Sequence, residues 1–481
     1  MMSRIAAADA DVDARGAASG GASPDRDRPM AVSWHLCDGS VATVSRRCFR
    51  RMTTPTVTQL LRSAPIIPAM TSAPIELEVD ELPTRQRHFR VAVVTETYPP
   101  EVNGVARSIA CVVKGLQARD HAVQLLRPRQ AASDADGPQG NEVLMRGLPV
   151  PRYPHLRMGV VSKRTLMQLW APRRPDVVHI ATEGPMGWSA LQAARQLKLP
   201  VVSEFRTNFH AYAQHYGIGW LRRPLLAYLR KFHNRCHSTM VPNATLAGEL
   251  LAQGFRHVNV IARGVDTQLF DPSRRSEALR EQWGAAPQDP VLLHVGRLAA
   301  EKNLQLLVAL WPAVRRHHPR ARLVLVGDGP ARAELEQQLP GAIFAGMRHG
   351  EDLAAHYASG DLFVFPSVTE TYGNVTPEAL ASGLPVLAYH YAAAALLVRS
   401  GVNGATVPLG TPAATFAERA LDLLSDRPRL AAMRVAAREG AESMGWEGIV
   451  QGIEQVYASA IDGTSVALRA SAGLLAPAVR A

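Results

Sequence analysis

The chain is poor in cysteine, in long apolar runs and in acidic charge, and each shortage excludes a class of protein. Its four cysteines, Cys37, Cys48, Cys111 and Cys236, are spread over 481 residues without metal-ligand spacing. That argues against a disulfide framework or a zinc site and fits a reducing compartment, the cytoplasm. No apolar stretch approaches the roughly 20 residues that a membrane-spanning helix needs. Against 42 acidic residues stand 53 Lys and Arg, a formal net charge of +11. Such a surplus suits nucleic acid, an anionic membrane surface or a phosphorylated small molecule. Nucleic acid is set aside, because the chain has no aromatic-rich RNA signature, no zinc finger and no Lys/Arg tract on a polar helix.

Divalent-metal chemistry also lacks its usual signal. The Asp-x-Asp pairs, Asp9 to Asp11 and Asp134 to Asp136, fall in a polar leader and a polar loop, and neither follows a strand. No metal and no cofactor are therefore expected.

What is present is a βα alternation, repeated twice. Residues 1–88 mix Ala, Asp, Arg, Gly, Ser and Pro without periodicity and read as a disordered leader. It lacks the apolar core of a secretory signal, and Met52 and Met70 leave room for a later start. From Phe89, β-branched runs predict parallel strands at 90–95, 122–126, 176–180, 200–205 and 238–241, with helices such as 187–197 and 244–253 between them. After a connecting stretch at 262–272 the pattern restarts, with strands at 291–296, 322–327, 342–345, 361–365 and 385–389. The fold class is α/β, two Rossmann-like doubly wound domains facing a cleft, at 89–263 and 264–445. Ligands belong at the carboxyl ends of the strands. A last helix, 446–461, carries Ile449, Ile453, Val456 and Tyr457 on one face and is expected to pack back on the first domain, before a flexible tail at 462–481.

Candidate chemistry gathers at strand ends. In FPSVTETYGNVTPEALASGLPVLAY a buried strand runs into a loop with Glu370 and Gly373, then a helix with Glu378. The free amides of Gly373, Asn374 and Val375 at the helix start suit an anion. Taken singly, the two acids also read as a solvated loop residue and a dipole-compensating one. In HVGRLAAEKNLQLL a strand delivers Arg297, and Lys302 sits in what reads as a first helical turn. A cation is unfavourable there unless an anion is bound, although an exposed surface Lys is the plainer alternative. TETYPPEVNGVARS places Asn103-Gly104 after the opening strand, where it can approach donor phosphates or acceptor, or serve as an ordinary turn. Arg206 and His210 follow the 200–205 strand, whose end should open on the cleft; the plainer alternative pairs Arg206 with Glu204 or another acid and lets His210 cap the loop. The segment 220–235 mixes Arg222, Arg223, Arg230, Lys231 and Arg235 with Leu221, Leu225, Leu229 and Phe232, which reads either as a docking surface for anionic lipid or as a core helix with solvated charges.

On these motifs the chain resembles the retaining glycosyltransferases of family 4, with the GT-B architecture, over nearly all of 89–461. Glu370 and Glu378 match that family's E-x7-E motif, Arg297 and Lys302 its diphosphate-binding pair, and GVNG at 401–404 its late glycine turn. ARGVDTQLF at 262–270 is similar to the family's segment entering the second domain. The resemblance implies that Glu370 contacts hydroxyls of the transferred sugar, Glu378 the donor ribose, and Gly373 and Asn374 offer amides. Within the family the combined motifs are most similar to bacterial GDP-mannose-dependent mannosyltransferases that glycosylate lipids. Arg206 departs from the pattern, standing where related enzymes carry the His of a His-Thr pair, and Val375 stands where many carry Pro.

The expected function is transfer of a hexose, mannose first, from a nucleotide diphosphate sugar to a lipid or glycan acceptor. It should proceed with retention and without metal, in the cytoplasm or on the inner face of the membrane. Arg206, His210, Arg297, Lys302 and Glu370 are the expected catalytic set, and Gly104, Arg297, Lys302, Gly373, Asn374, Val375 and Glu378 the donor contacts. The alternatives are a UDP-sugar-dependent glucosyl or sulfoquinovosyl transferase, an epimerase or phosphorylase on the same fold, and a non-catalytic nucleotide-sugar binding protein.

Overall fold

The computed structural model describes residues 32–35, 41–44, 87–101, 103–130, 134, 141–150, 153–206 and 222–463. Residues 1–84 and 85–481 form two separate units. In the first, strands β1 (Val32–His35) and β2 (Val41–Val44) pair antiparallel. The expectation of a leader without regular structure does not extend to these segments, whose valines favour a strand.

The second unit holds two sheets. The first has eight strands: β3 (Arg90–Val94), β4 (Ala122–Pro128), β5 (Glu142–Val150), β6 (Tyr153–Val160), β7 (Val177–Ile180), β8 (Val201–Glu204), β9 (Ser238–Val241) and β10 (Val258–Val260). Their order is β10-β9-β8-β7-β3-β4-β5-β6, parallel throughout except for the β5–β6 hairpin. The second has six parallel strands: β11 (Val291–Val295), β12 (Arg322–Val326), β13 (Ile343–Gly346), β14 (Leu362–Phe365), β15 (Val386–Tyr389) and β16 (Gly404–Val407), ordered β13-β12-β11-β14-β15-β16. In each sheet the opening strand lies in the interior, and the chain first builds to one side of it and then to the other. The order therefore reverses between β3 and β7 and between β11 and β14, where diverging loops leave a crevice.

The strands read as apolar runs because both faces of each sheet are covered. One face of the second sheet packs Leu292, Leu325 and Leu387 against Leu307, Leu310 and Phe416, and the other packs Val291, Leu293 and Phe363 against Tyr357, Leu380 and Ala437. The helix Trp446–Asp462 returns to the first sheet, burying Ile449, Val450, Ile453, Val456 and Tyr457 against Val91, Val93, Ile109 and Val112. Arg119 and His121 both meet Glu454 on that helix. The chain thus passes between the sheets twice, and the two passages lie side by side: the Val265 amide donates to the Met444 carbonyl at 2.9 Å.

Candidate active site

Loops from β11 and β14 assemble the second sheet's end of the crevice. After β11 the chain forms a short 3-10 turn, Ala300–Lys302, and Asn303 adopts a left-handed conformation (φ 56°) before a separate helix begins at Gln305. Lys302 therefore precedes the helix instead of occupying its first turn, and the unfavourable dipole inferred from sequence does not arise. Its ammonium pairs with Glu370, and Arg297 pairs with Glu301, a buried acid the sequence reading did not single out.

Glu370 lies in the loop after β14. The Ser367 hydroxyl donates to its Oε1 at 2.6 Å. Burial works to raise its pKa, but Lys302 and Ser367 hold the carboxyl below its usual value, so it is ionised. Gly373, at φ 90°, makes the turn back towards Glu370, a conformation a side chain would strain. The short helix Val375–Ala381 follows and buries Glu378. Glu378 accepts from the Tyr357 hydroxyl at 2.9 Å and from Arg107 at 3.1 Å. Burial raises its pKa against both partners. The two acids of the motif thus carry opposite shifts, and Glu370 is the one with a cation in its own domain.

The first sheet supplies the opposite wall. Asn103 caps the helix Gly104–Ala118, its side chain accepting from the Ala106 amide. Asn374 reaches across to this helix start, donating to the Gly104 carbonyl at 3.3 Å and to the Ser108 hydroxyl at 3.2 Å. The predicted donor residues Gly104, Gly373, Asn374, Val375 and Glu378 are therefore brought to one place, with Arg297, Lys302 and Glu370 around the loops beside it.

Arg206 lies just past β8, buried, and pairs with Glu204, which is the plainer of the two sequence readings for its ionic partner. His210 lies outside the described residues. Arg263, in the passage between the sheets, donates to Asn374 Oδ1 at 3.3 Å and lies over the Tyr372 ring. Its place in the ARGVDTQLF segment was the available signal; Arg107 had none beyond lying in the Asn103-Gly104 motif.

The segment 220–235 shows features of both of its sequence readings. On the helix Arg222–His233, Leu229 and Phe232 are buried in the protein core and Leu225 is half-buried, whereas Arg223, Arg230 and Lys231 are exposed, as is Arg235 just beyond the helix. The buried side chains serve the fold, and the exposed side of the helix carries its basic residues together with Tyr228. Trp220 and Leu221 lie outside the described residues. No described helix is long and apolar enough to cross a membrane.

The family 4 glycosyltransferase model matches residues 102–269, and the glycosyl transferases group 1 model matches residues 289–426. A GDP-mannose-dependent alpha-mannosyltransferase of Mycobacterium tuberculosis is 36% identical over 368 residues, covering 74% of this chain and 93% of that protein. The chain belongs to glycosyltransferase family 4. A sulfoquinovosyl transferase of Arabidopsis thaliana is 32% identical to this family 4 enzyme over 325 residues, covering 66% of the chain and 63% of the relative. Among solved structures, sucrose-phosphate synthase of Thermosynechococcus elongatus superposes with a TM-score of 0.65 at 19% identity, covering 78% of this chain and 99% of the other. That likeness shows the shared GT-B fold. In this glycosyltransferase Arg297 and Lys302 follow β11, and Glu370 and Glu378 follow β14.

Proposed function

We propose that this glycosyltransferase moves mannose from GDP-mannose to a lipid or glycan acceptor, with retention and without a metal ion. The observation that carries the reading is the pairing of Lys302 with Glu370, which sets a cation and a sugar-binding acid side by side at the β11/β14 reversal. Arg297 and Lys302 would stabilise the negative charge that builds on the departing diphosphate, an effect worth most where water is excluded. Glu301 and Glu370 hold those two cations in place beforehand. Glu370 would orient sugar hydroxyls, Glu378 would meet the donor ribose, and the Gly373, Asn374 and Val375 amides would face the phosphates. Arg206 and His210 would act from the first domain. The Mycobacterium relative, named for GDP-mannose, supports the donor choice. The Arabidopsis relative, named a sulfoquinovosyl transferase, supports sulfoquinovose as the competing transferred sugar.

The decisive measurement is transfer from a panel of GDP- and UDP-sugars to membrane lipid extract, with the anomer of the product assigned by NMR. An α-mannolipid from GDP-mannose is expected. Exclusive use of a UDP-sugar would replace the donor assignment, and donor binding without any transfer or hydrolysis would make the protein a sensor.

The site of action would be the inner face of the membrane, reached by electrostatic adsorption through Arg223, Arg230, Lys231 and Arg235. Co-sedimentation with anionic vesicles should be lost at high salt and when these residues are neutralised. Binding that survives both would refute it.

A further inference from the structure

At the root of the crevice, where the chain passes from one sheet to the other, a small cavity is lined by residues from several parts of the fold. Arg206 and Phe205 come from the end of β8, Arg263 from the connecting passage, and Trp446 and Ile449 from the returning helix. The walls are mostly apolar, and the polar groups are concentrated in two guanidiniums and Glu204.

Those guanidiniums are not fully matched. Arg206 is 6% exposed, and one of its terminal nitrogens pairs with Glu204, while Nε and Nη1 are buried without a hydrogen-bond partner among the described residues. Arg263 places Nη1 on Asn374, and its Nη2 is likewise buried without a partner among the described residues. Buried donors left unpaired are costly, and buried charge more so.

The local charge does not balance either. Against Arg206 and Arg263 stands Glu204; the nearby Glu370 is engaged by Lys302 and Ser367. Burial lowers the Arg263 pKa to about 10, and the Arg206 charge pushes the same way.

The arrangement is also braced. Tyr457 Oη lies 2.7 Å from His179 Nδ1, and His179 Nε2 lies 2.7 Å from Glu204 Oε1. Tyr457, His179 and Glu204 are all buried, so the carboxylate that grips Arg206 is fixed from behind by the returning helix. This leaves the remaining Arg206 donors little freedom to turn elsewhere.

We propose that Arg206 and Arg263 form a second oxyanion-binding site, distinct from Arg297 and Lys302, which takes a phosphate, sulfonate or carboxylate group carried by a substrate. The unmatched N–H groups of two guanidiniums suit the several acceptor oxygens of such a group. The carrier is either the acceptor or the transferred sugar, and only this last point rests on the transferase reading.

The test uses the full chain with GDP and UDP both held at saturation, so that the diphosphate place is filled whichever base the donor carries, and follows thermal stability as inorganic phosphate is titrated against chloride at matched ionic strength. A saturable rise is expected in the wild type. It should disappear in Arg263→Met and in the charge-balanced double variant Glu204→Gln with Arg206→Met, which avoids a buried unpaired carboxylate. No saturable rise in the wild type, or a rise that persists in folded variants, overturns the site without touching the transferase reading. Transfer assays then locate the carrier by comparing neutral with phosphate-bearing acceptors, and GDP-mannose with UDP-glucuronate. A KM increase of about tenfold in Arg263→Met, confined to the phosphate-bearing acceptor or to the anionic sugar donor, assigns the oxyanion to that substrate. If phosphate binding is lost and neither KM moves, the site serves no substrate and the proposal fails.

Discussion

Arg107 and Glu378, 271 residues apart in sequence, meet at 3.1 Å across the crevice. The acid belongs to the donor-side loop and the cation to the first helix of the opposite sheet, so their contact exists only while the two walls face each other closely. The Arg107 side chain is 44% exposed, which makes the pair weak as a source of stability but sensitive to opening.

Arg107→Ala is therefore expected to change overall stability by less than about 1 kcal/mol. The donor KM should rise by about threefold to tenfold with a smaller effect on kcat, because a wall that closes on the donor is loosened. Steady-state kinetics beside a thermal melt decides it; an unchanged donor KM would remove Arg107 from the closing contact.

Lys302→Met should lower kcat/KM about a hundredfold, the usual cost of losing one contact to developing charge. It should also alter the acid limb of stability. Glu370 is held below its ordinary value of 4.5, so its ionised form contributes stability above that value, and the contribution is lost as pH falls through the lower folded pKa. The gap in melting temperature between wild type and variant should be widest near neutrality and close in acid. A gap independent of pH would show that Lys302 does not set the Glu370 charge.

Glu96 follows the opposite sign. Burial raises its carboxyl from 4.5 to about 7, despite the Met186 amide that donates to it at 2.9 Å, and the charge of Glu183 adds to the rise. The folded state thus binds a proton that the unfolded state has released, giving stability that is complete below about 4.5 and lost as pH rises through 7. Glu96→Gln should flatten the decline in melting temperature between pH 5 and 8, recovering at most about 3 kcal/mol at the alkaline end. Parallel melts across that range would expose an unchanged slope if the carboxyl is already ionised at pH 5.

Excess EDTA should leave sugar transfer within about twofold of its starting rate, since two side-chain cations are assigned the role a metal plays elsewhere. Loss of transfer that manganese or magnesium restores would reverse the assignment.

Much of the fold was legible because its central strands are covered on both faces. Runs such as Val291–Val295 and Ser238–Val241 read as strands directly. The hairpin of Glu142–Val150 and Tyr153–Val160 was missed, since its Pro, Arg and Gly residues break any alternation, as they can on an edge. The edge strands Val258–Val260 and Gly404–Val407 are too short to show a period. At the site, the residue types came from motifs but their pairings did not. Lys302 and Glu370 are 68 residues apart, and nothing local in either stretch states that they touch. Glu301 was within reach of sequence reasoning, as an acid four residues after Arg297. Arg263 lies within the ARGVDTQLF motif, yet its unmatched nitrogen is a property of packing, which no pattern of residues displays.

The hydrogen bond from Val265 to Met444 ties the two passages between the sheets into one narrow band. Two separated tethers would resist rotation and favour sliding, whereas a single joined band acts as a hinge pin. Any swing of one sheet against the other must then pivot at that pin. The lever arm is shortest at Arg263, next to the pin, and longer towards the outer rim of the crevice, so groups near the root keep their spacing while those farther out part first.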